Sequence, residues 1–300
     1  MNSPIVIFSY NRPKHLSKLI DTILNNRINK THKVYFFCDG PKNLSDINKI
    51  KNIKEILKNK KINFSYINYN KKNIGLSKNI IKGITFVLKK HDRCIVLEDD
   101  LVLNENCINF MNTMLNKFKK NNTIGSVSAH SYLEEFKNKK KFDFYISKRH
   151  SSWCWGTWSN VWNNINWNEM SYTEHFSHKK NIEKFSDGGK DLNLLLWGNY
   201  KKYIDSWAIR FNFYCMNAGL KSVQPRFSMI RNEGRDLSGT HEKFTFKIKK
   251  KYNFNPKLGQ IDNILARTAK NNEIDSYIKN SHRRSIKLSI RYFLKEGKIL

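Results

Sequence analysis

The chain has 300 residues, 39% hydrophobic and 13% aromatic, enough for one large domain or two joined across a cleft, which excludes extensive disorder. Lys and Arg number 55 against 25 Asp and Glu, a formal net charge of +30 that attracts polyanions and is partly a matter of AT-rich coding bias, since Lys, Asn and Ile are abundant together. No stretch approaches the ~18 apolar residues of a membrane span, the start MNSPIVIFSYNRPKHLSK lacks a signal-peptide pattern, and the five cysteines (Cys38, Cys94, Cys107, Cys154 and Cys215) form no CxxC pair, a usage that fits reduced, buried thiols in a cytosolic protein.

In chain order, short apolar runs rich in Val, Ile, Phe and Tyr predict strands at 4–10, 33–40, 62–67, 93–97 and 124–129. Helical spacing fills the intervals. In 13-PKHLSKLIDTILNN-26, Pro13 opens the helix and Leu16, Leu19, Ile20, Ile23 and Leu24 share one face. Segments 44–59, 76–90 and 105–119 repeat the pattern. Strand alternating with helix predicts an α/β fold, a mostly parallel sheet with helices on both faces. Ligands of such sheets sit beyond the strand carboxyl ends. Those ends carry Ser9, Asn11 and Arg12, then Asp39, then Glu98, Asp99 and Asp100. No GxGxxG follows a strand, which argues against a dinucleotide enzyme.

The texture changes after about residue 140. Residues 151–167 hold five of the seven tryptophans: Trp153, Trp155, Trp158, Trp162 and Trp167. This run is either core between two subdomains or a sugar platform, with Trp155 and the small Gly156 as the place where a sugar approaches. Helices are predicted at about 191–203 and 204–218, a loop over 225–242, a basic stretch over 243–251 and a basic amphipathic helix over 276–300. The expected organisation is a nucleotide-sugar-binding half over 1–130, an acceptor-binding and catalytic half over 131–255, and a basic tail over 256–300.

Three acids at the end of a buried strand, in a chain short of acids, ask for a positive partner, because burying an unpaired carboxylate costs several kcal/mol, roughly. A hard divalent cation, Mn²⁺ or Mg²⁺, takes one or two carboxylates plus substrate phosphates. Side chains alternate along a strand, so Glu98 and Asp100 point one way and Asp99 the other. Asp100 is the expected metal ligand, with Glu98 or Asp99 orienting a sugar or ribose. The plainer reading is that the acids face the N-terminal dipole of a helix starting near Asn104.

The stretches 5-IVIFSYNRP-13, 34-VYFFCDG-40, 73-NIGLSKNIIKGI-84 and 96-VLEDDLVLNENCINFMN-112 resemble glycosyltransferases of the GT-A fold, and within it the N-acetylglucosaminyltransferase I type, which carries Glu-Asp-Asp where others carry Asp-x-Asp. The likeness covers residues 4–130 and thins out at 124-IGSVSAHS-131, 153-WCWGTWSNVW-162 and 202-KYIDSWAIRF-211. It implies that Asp100 holds the metal, Asp39 contacts the base or ribose, and Arg12 and Lys78 approach the diphosphate. It implies inversion at the anomeric centre, with Asp205 as general base, and a His241 near the metal and diphosphate. Asp205 is otherwise a helix cap, and Asp191, Glu174, Asp187 and Glu233 are rival bases.

The expected function is metal-dependent, inverting transfer of a sugar from a nucleotide-diphosphate donor, UDP-linked, to a bacterial surface glycan or its lipid-linked precursor. Arg283, Arg284, Lys287 and Arg291 of the tail would meet an anionic membrane surface, placing the enzyme in the cytoplasm, peripheral on the inner face of the cell membrane; the alternative is a solvated helix face. Nucleotidyl transfer onto a sugar phosphate is a second reading, weakened by the lack of glycine in SYNRPKH. A non-enzymatic polyanion- or carbohydrate-binding protein is a third, and it would not need three acids at a cleft. Nucleic acid is not an expected partner.

Overall fold

The computed structural model describes residues 2–26, 28, 32–133, 136, 142–167, 171–234, 271–282, 284–297 and 300. His241, the basic stretch 243–251 and Arg283 lie outside them. The elements run β1 (Ile5–Ser9), α1 (Pro13–Asn25), β2 (Val34–Cys38), α2 (Leu44–Asn59), β3 (Phe64–Tyr69), α3 (Leu76–Leu88), β4 (Arg93–Glu98), β5 (Leu101–Leu103), α4 (Cys107–Lys117), β6 (Ile124–Ser128), β7 (Phe144–Ser147), β8 (Trp155–Trp158), α5 (Ser159–Trp162), α6 (Tyr172–Ser177), α7 (Lys179–Ser186), α8 (Leu192–Tyr200), α9 (Trp207–Asn217), β9 (Lys221–Pro225), β10 (Ile230–Asn232), α10 (Asn271–Ser281) and α11 (Ile286–Glu296).

An α/β sheet of eight strands in the order β3-β2-β1-β4-β8-β6-β9-β7 forms the frame. The β3-β2-β1-β4 side is parallel throughout, as right-handed βαβ crossovers require. β8 then inserts antiparallel between β4 and β6, β9 pairs parallel with β6, and β7 closes the edge antiparallel to β9. The fifth strand of the opening pattern therefore does not neighbour the fourth; the tryptophan segment lies between them. β5 and β10 make a separate two-stranded antiparallel pair, Ile230 opposite Leu103.

Central strands β1 and β2 are buried at every position, the pattern of a sheet covered on both faces. Leu16, Leu19, Ile20 and Ile23 of α1 are fully buried, each contributing about 1.5–3 kcal/mol. Trp155 and Trp162 are fully buried too, with Trp155 stacked on Trp207 at 4.9 Å and tilted against Phe211 at the same distance. All five cysteines are buried and unbridged. No helix among the described residues is long and apolar enough to cross a membrane. The tail is two helices rather than one: Ser285 caps the second, its hydroxyl accepting the Leu288 N–H, and so breaks the single helix expected over 276–300.

Candidate active site

The strand order reverses between β1 and β4, since the chain moves outward to β2 and β3 and returns to the other side of β1 for β4. Open α/β sheets bind ligands at such a point. The two strands are in parallel register, Phe8 opposite Glu98, so the loop 10–12 and the turn at Asp99–Asp100 leave the sheet side by side.

Asp99 turns back into the protein. Its carboxylate accepts the Ser9 hydroxyl at 2.9 Å and the Tyr10 N–H at 3.2 Å, and Arg12 Nη2 lies 2.7 Å away. Arg12 Nη1 reaches Asp100 Oδ2 at 3.1 Å, so one guanidinium joins two neighbouring acids. Burial works against the Arg12 charge, but Asp99 and Asp100 outweigh it and raise its pKa. Burial also raises Asp99, opposed by Arg12. Glu98 is pushed up to about 8, first by burial and then by repulsion from Asp100 and Asp99. Among the described residues, these three acids share the one guanidinium of Arg12.

The loop before Arg12 is fixed from the other side by Asp46, whose carboxylate accepts from the Tyr10 hydroxyl, from Asn11 Nδ2 at 2.7 Å and from the Lys42 N–H at 3.0 Å. Those bonds hold Asp46 below the usual carboxylate range despite its burial. Asp46 has no sequence signal beyond its place in the first turn of α2.

Arg12, Glu98 and Asp100 open onto a cleft of about 220 Å³, together with Leu76, Trp153 and Asp205. Ser206, Asn232 and Gly234 are also part of its rim. Asp205 comes from a segment far along the chain. The Trp207 N–H donates to the Ser77 hydroxyl at 3.1 Å, which docks the start of α9 against the start of α3. Ser206 caps α9, accepting the Ile209 N–H at 3.3 Å. Asp205 therefore is not the cap. Its carboxylate is 66% exposed and lies 3.5 Å from Arg210 Nη2. Of the rival acids, Asp191 is paired with Arg149 at 2.8 Å and Asp187 with Lys148 and Lys279. Glu233 is held by Lys18 and Arg231. Neither these three nor Glu174 lines the cleft.

Several expected ligand contacts are placed elsewhere. Trp155 and Gly156 are core, not cleft. A Cβ at Gly156 would meet the Cys94 carbonyl at 2.7 Å and Leu115 at 2.9 Å, so the glycine is needed for strand β8 to lie between β4 and α4. Of the tryptophans in 151–167, Trp153 lines the cleft, where Trp207 of α9 joins it; Cys154, which adopts φ +42°, makes the turn between Trp153 and β8. That turn of a non-glycine residue is invisible in the spelling WCWG. Asp39 is buried, and its carboxylate accepts from the N–H groups of Gly40, Ile74 and Gly75 and from Asn70. It shapes the 70–75 segment ahead of α3 rather than facing the cleft. Ser9 and Asn11 brace the loop through Asp99 and Asp46. Lys78 is exposed on the first turn of α3 and does not line the cleft. The acids at 98–100 do not sit at a helix start, because β5 intervenes and α4 begins at Cys107.

No group of three or more His, Cys, Asp or Glu is arranged to hold a metal among the described residues. Of the three carboxylates that line the cleft, Glu98 and Asp100 lie together at the end of β4, and both are hard oxygen donors. They fit a divalent ion whose shell is completed by a phosphorylated ligand and water, not one caged by protein alone.

The sequence profile of glycosyl transferase family 2 matches residues 5–186. No curated protein matches the chain. Among solved structures, residues 1–349 of S. aureus TarS with UDP-GlcNAc are 14% identical, TM-score 0.33, over 43% of this chain and 34% of that one. The mannosyltransferase PcManGT of Pyrobaculum calidifontis, with GDP-Man and Mn²⁺, is 9% identical, TM-score 0.40, over 55% of this chain and 47% of that one. The chain thus spans less than half the length of either protein.

Proposed function

This chain belongs to glycosyl transferase family 2, and on that premise we propose that it moves a hexosyl or N-acetylhexosaminyl group, with inversion, from a nucleotide-diphosphate donor to a bacterial surface glycan or its lipid-linked precursor. The observation that carries this reading is the convergence of Arg12, Glu98, Asp100 and Asp205 on one cleft at the β1/β4 switch point. The Glu-Asp-Asp spelling shared with the N-acetylglucosaminyltransferase I type supports a UDP-linked donor.

Asp100, with Glu98 beside it, would hold a Mn²⁺ or Mg²⁺ ion whose positive charge offsets the charge developing on the departing diphosphate. Arg12 adds a fixed cation at the same end of the cleft, kept in place by Asp99. Trp153 offers a flat, partly polar face for a sugar ring. Asp205, exposed at the cleft and not used as a cap, accepts the proton of the attacking acceptor hydroxyl. Arg210 orients that carboxylate from behind.

A thermal-shift screen of UDP- and GDP-sugars with and without Mn²⁺ tests this directly, since a ligand bound only by the native state raises Tm. The expected result is a Mn²⁺-dependent rise for one donor, absent in Asp100→Ala, and transfer to a lipid-linked glycan that ceases on chelation. Donor affinity indifferent to chelator and to Asp100→Ala would overturn the metal role. No response to any sugar nucleotide would overturn the function.

A further inference from the structure

α11 carries two apolar faces. Leu288 and Tyr292 are buried against Leu194 and Trp197 of α8, with the Tyr292 ring 5.1 Å from that of Trp197. Ile286, Ile290, Phe293 and Leu294 face water, 77, 55, 53 and 77% exposed. Their spacing of i, i+4, i+7 and i+8 gathers them into one stripe about 100° wide, turned away from the buried face. An apolar stripe of this size left in water marks an interaction surface. It borders an apolar groove of about 410 Å³ that includes Leu194, Tyr292 and Leu300.

Among the described residues, the side chains along one edge of the stripe are basic. Lys287, Arg291 and Lys295 each follow a stripe residue and run along one edge of it. The Arg291 guanidinium lies 4.8 Å over the half-exposed Tyr203 ring, and Arg284 stands at the helix start, its Nε donating to the Lys190 carbonyl. The one acid of the helix, Glu296, is turned to the α8 side, where it accepts from Trp197 Nε1 and pairs with Lys201. A second copy of this chain would bring the same basic edge against itself, so charge complementarity favours an anionic surface. The helix has 11 residues, too few to span a bilayer.

We propose that α11 lies in the plane of an anionic lipid bilayer, with Ile286, Ile290, Phe293 and Leu294 seated among acyl chains and Lys287, Arg291 and Lys295 on headgroup phosphates. Apolar insertion and basic contact together give the two signals that stable but reversible membrane attachment needs. α8 packs under α11 and ends at Tyr200, from which a short segment leads to Asp205. The proposal rests on the surface of α11 and is independent of the reaction assigned to the cleft.

The test is co-sedimentation of the full chain with vesicles of equal parts phosphatidylglycerol and phosphatidylcholine, and with phosphatidylcholine alone. Binding is expected to the anionic vesicles only and to weaken with salt. Ile290→Ser, Phe293→Ser and Leu294→Ser together should weaken it by more than about tenfold. Lys287→Gln with Lys295→Gln should weaken it by about fivefold per charge. All five side chains are exposed, so Tm should not change, and the lysine pair gives a reading even if the apolar triple variant folds poorly. Equal binding to both vesicle types, no binding to either, or variants that bind like wild type would overturn the proposal. So would self-association in sedimentation equilibrium that the same apolar substitutions abolish, which would assign the face to a second copy.

Discussion

Gly234 stands so close to Asp100 that a Cβ on it would collide with the Asp100 carboxylate and crowd Arg12 Nη1. The β5–β10 pair and the hydrogen bond from the Gly234 N–H to Asn232 Oδ1 hold it there. Gly234→Ala is therefore expected to displace Asp100 and Arg12 and to lower kcat/KM for transfer by roughly a hundredfold, the penalty of a misplacement of about 1 Å. Tm should move little, because the site is at the cleft and not in the core. Steady-state kinetics alongside a melting curve check this; wild-type kcat/KM would remove Gly234 from the site.

Asp205→Asn keeps the shape of the cleft rim and removes the proton acceptor. Transfer should fall by about 10²–10⁴-fold in kcat, while the donor-induced rise in Tm stays as in wild type. Loss of donor binding in this variant would reassign Asp205 from chemistry to donor contact.

Arg12 bridges Asp99 and Asp100, and Asp99 is 2% exposed. Arg12→Ala leaves that carboxylate buried without its cation and should cost about 3–5 kcal/mol of stability by urea unfolding. The double variant Arg12→Met, Asp99→Leu should regain most of the stability and none of the activity. Equal stability of wild type and Arg12→Ala would show that the pair is more hydrated than its burial suggests.

His150 is buried, with Ser126 Oγ 2.7 Å from Nδ1 and the Leu220 carbonyl 3.3 Å from Nε2. Burial depresses its pKa to about 4. The unfolded chain takes up this proton near pH 6.5, before the native state does, so the contribution is complete above about pH 6.5 and is lost as pH falls towards 4. The loss amounts to about 3 kcal/mol at most. His150→Gln should flatten the stability profile across that window, measured by urea titrations at intervals of pH. An unchanged slope would mean that other groups set the acid sensitivity.

Much of this architecture was legible in the sequence. The strands and helices of the β1–α3 region appear within two residues of their expected bounds, β3 two residues later than 62–67, because buried parallel strands and amphipathic helices leave strong local patterns. The convergence of the strand ends at Arg12 and Asp100 followed from topology alone. The rest depends on contacts distant in sequence. β5 and β10 have three residues each, too short for any periodicity, and exist through their pairing. Five tryptophans in a row of residues did not say which of them faces a ligand; the backbone turn at Cys154 decides for Trp153. Asp39 looked like a ligand contact by position, yet its neighbours' N–H groups use both of its oxygens.

The pairing of β5 with β10 also bears on the order of assembly. Residues that follow directly on the acidic turn wait for a partner from a much later stretch of chain, and contacts of such long loop closure form late. The parallel half can collapse early during synthesis with its carboxylates uncovered. A polypeptide cut short before Ile230 would then keep that half of the sheet yet lack the wall at Gly234, so competence for chemistry arrives after the scaffold has already set.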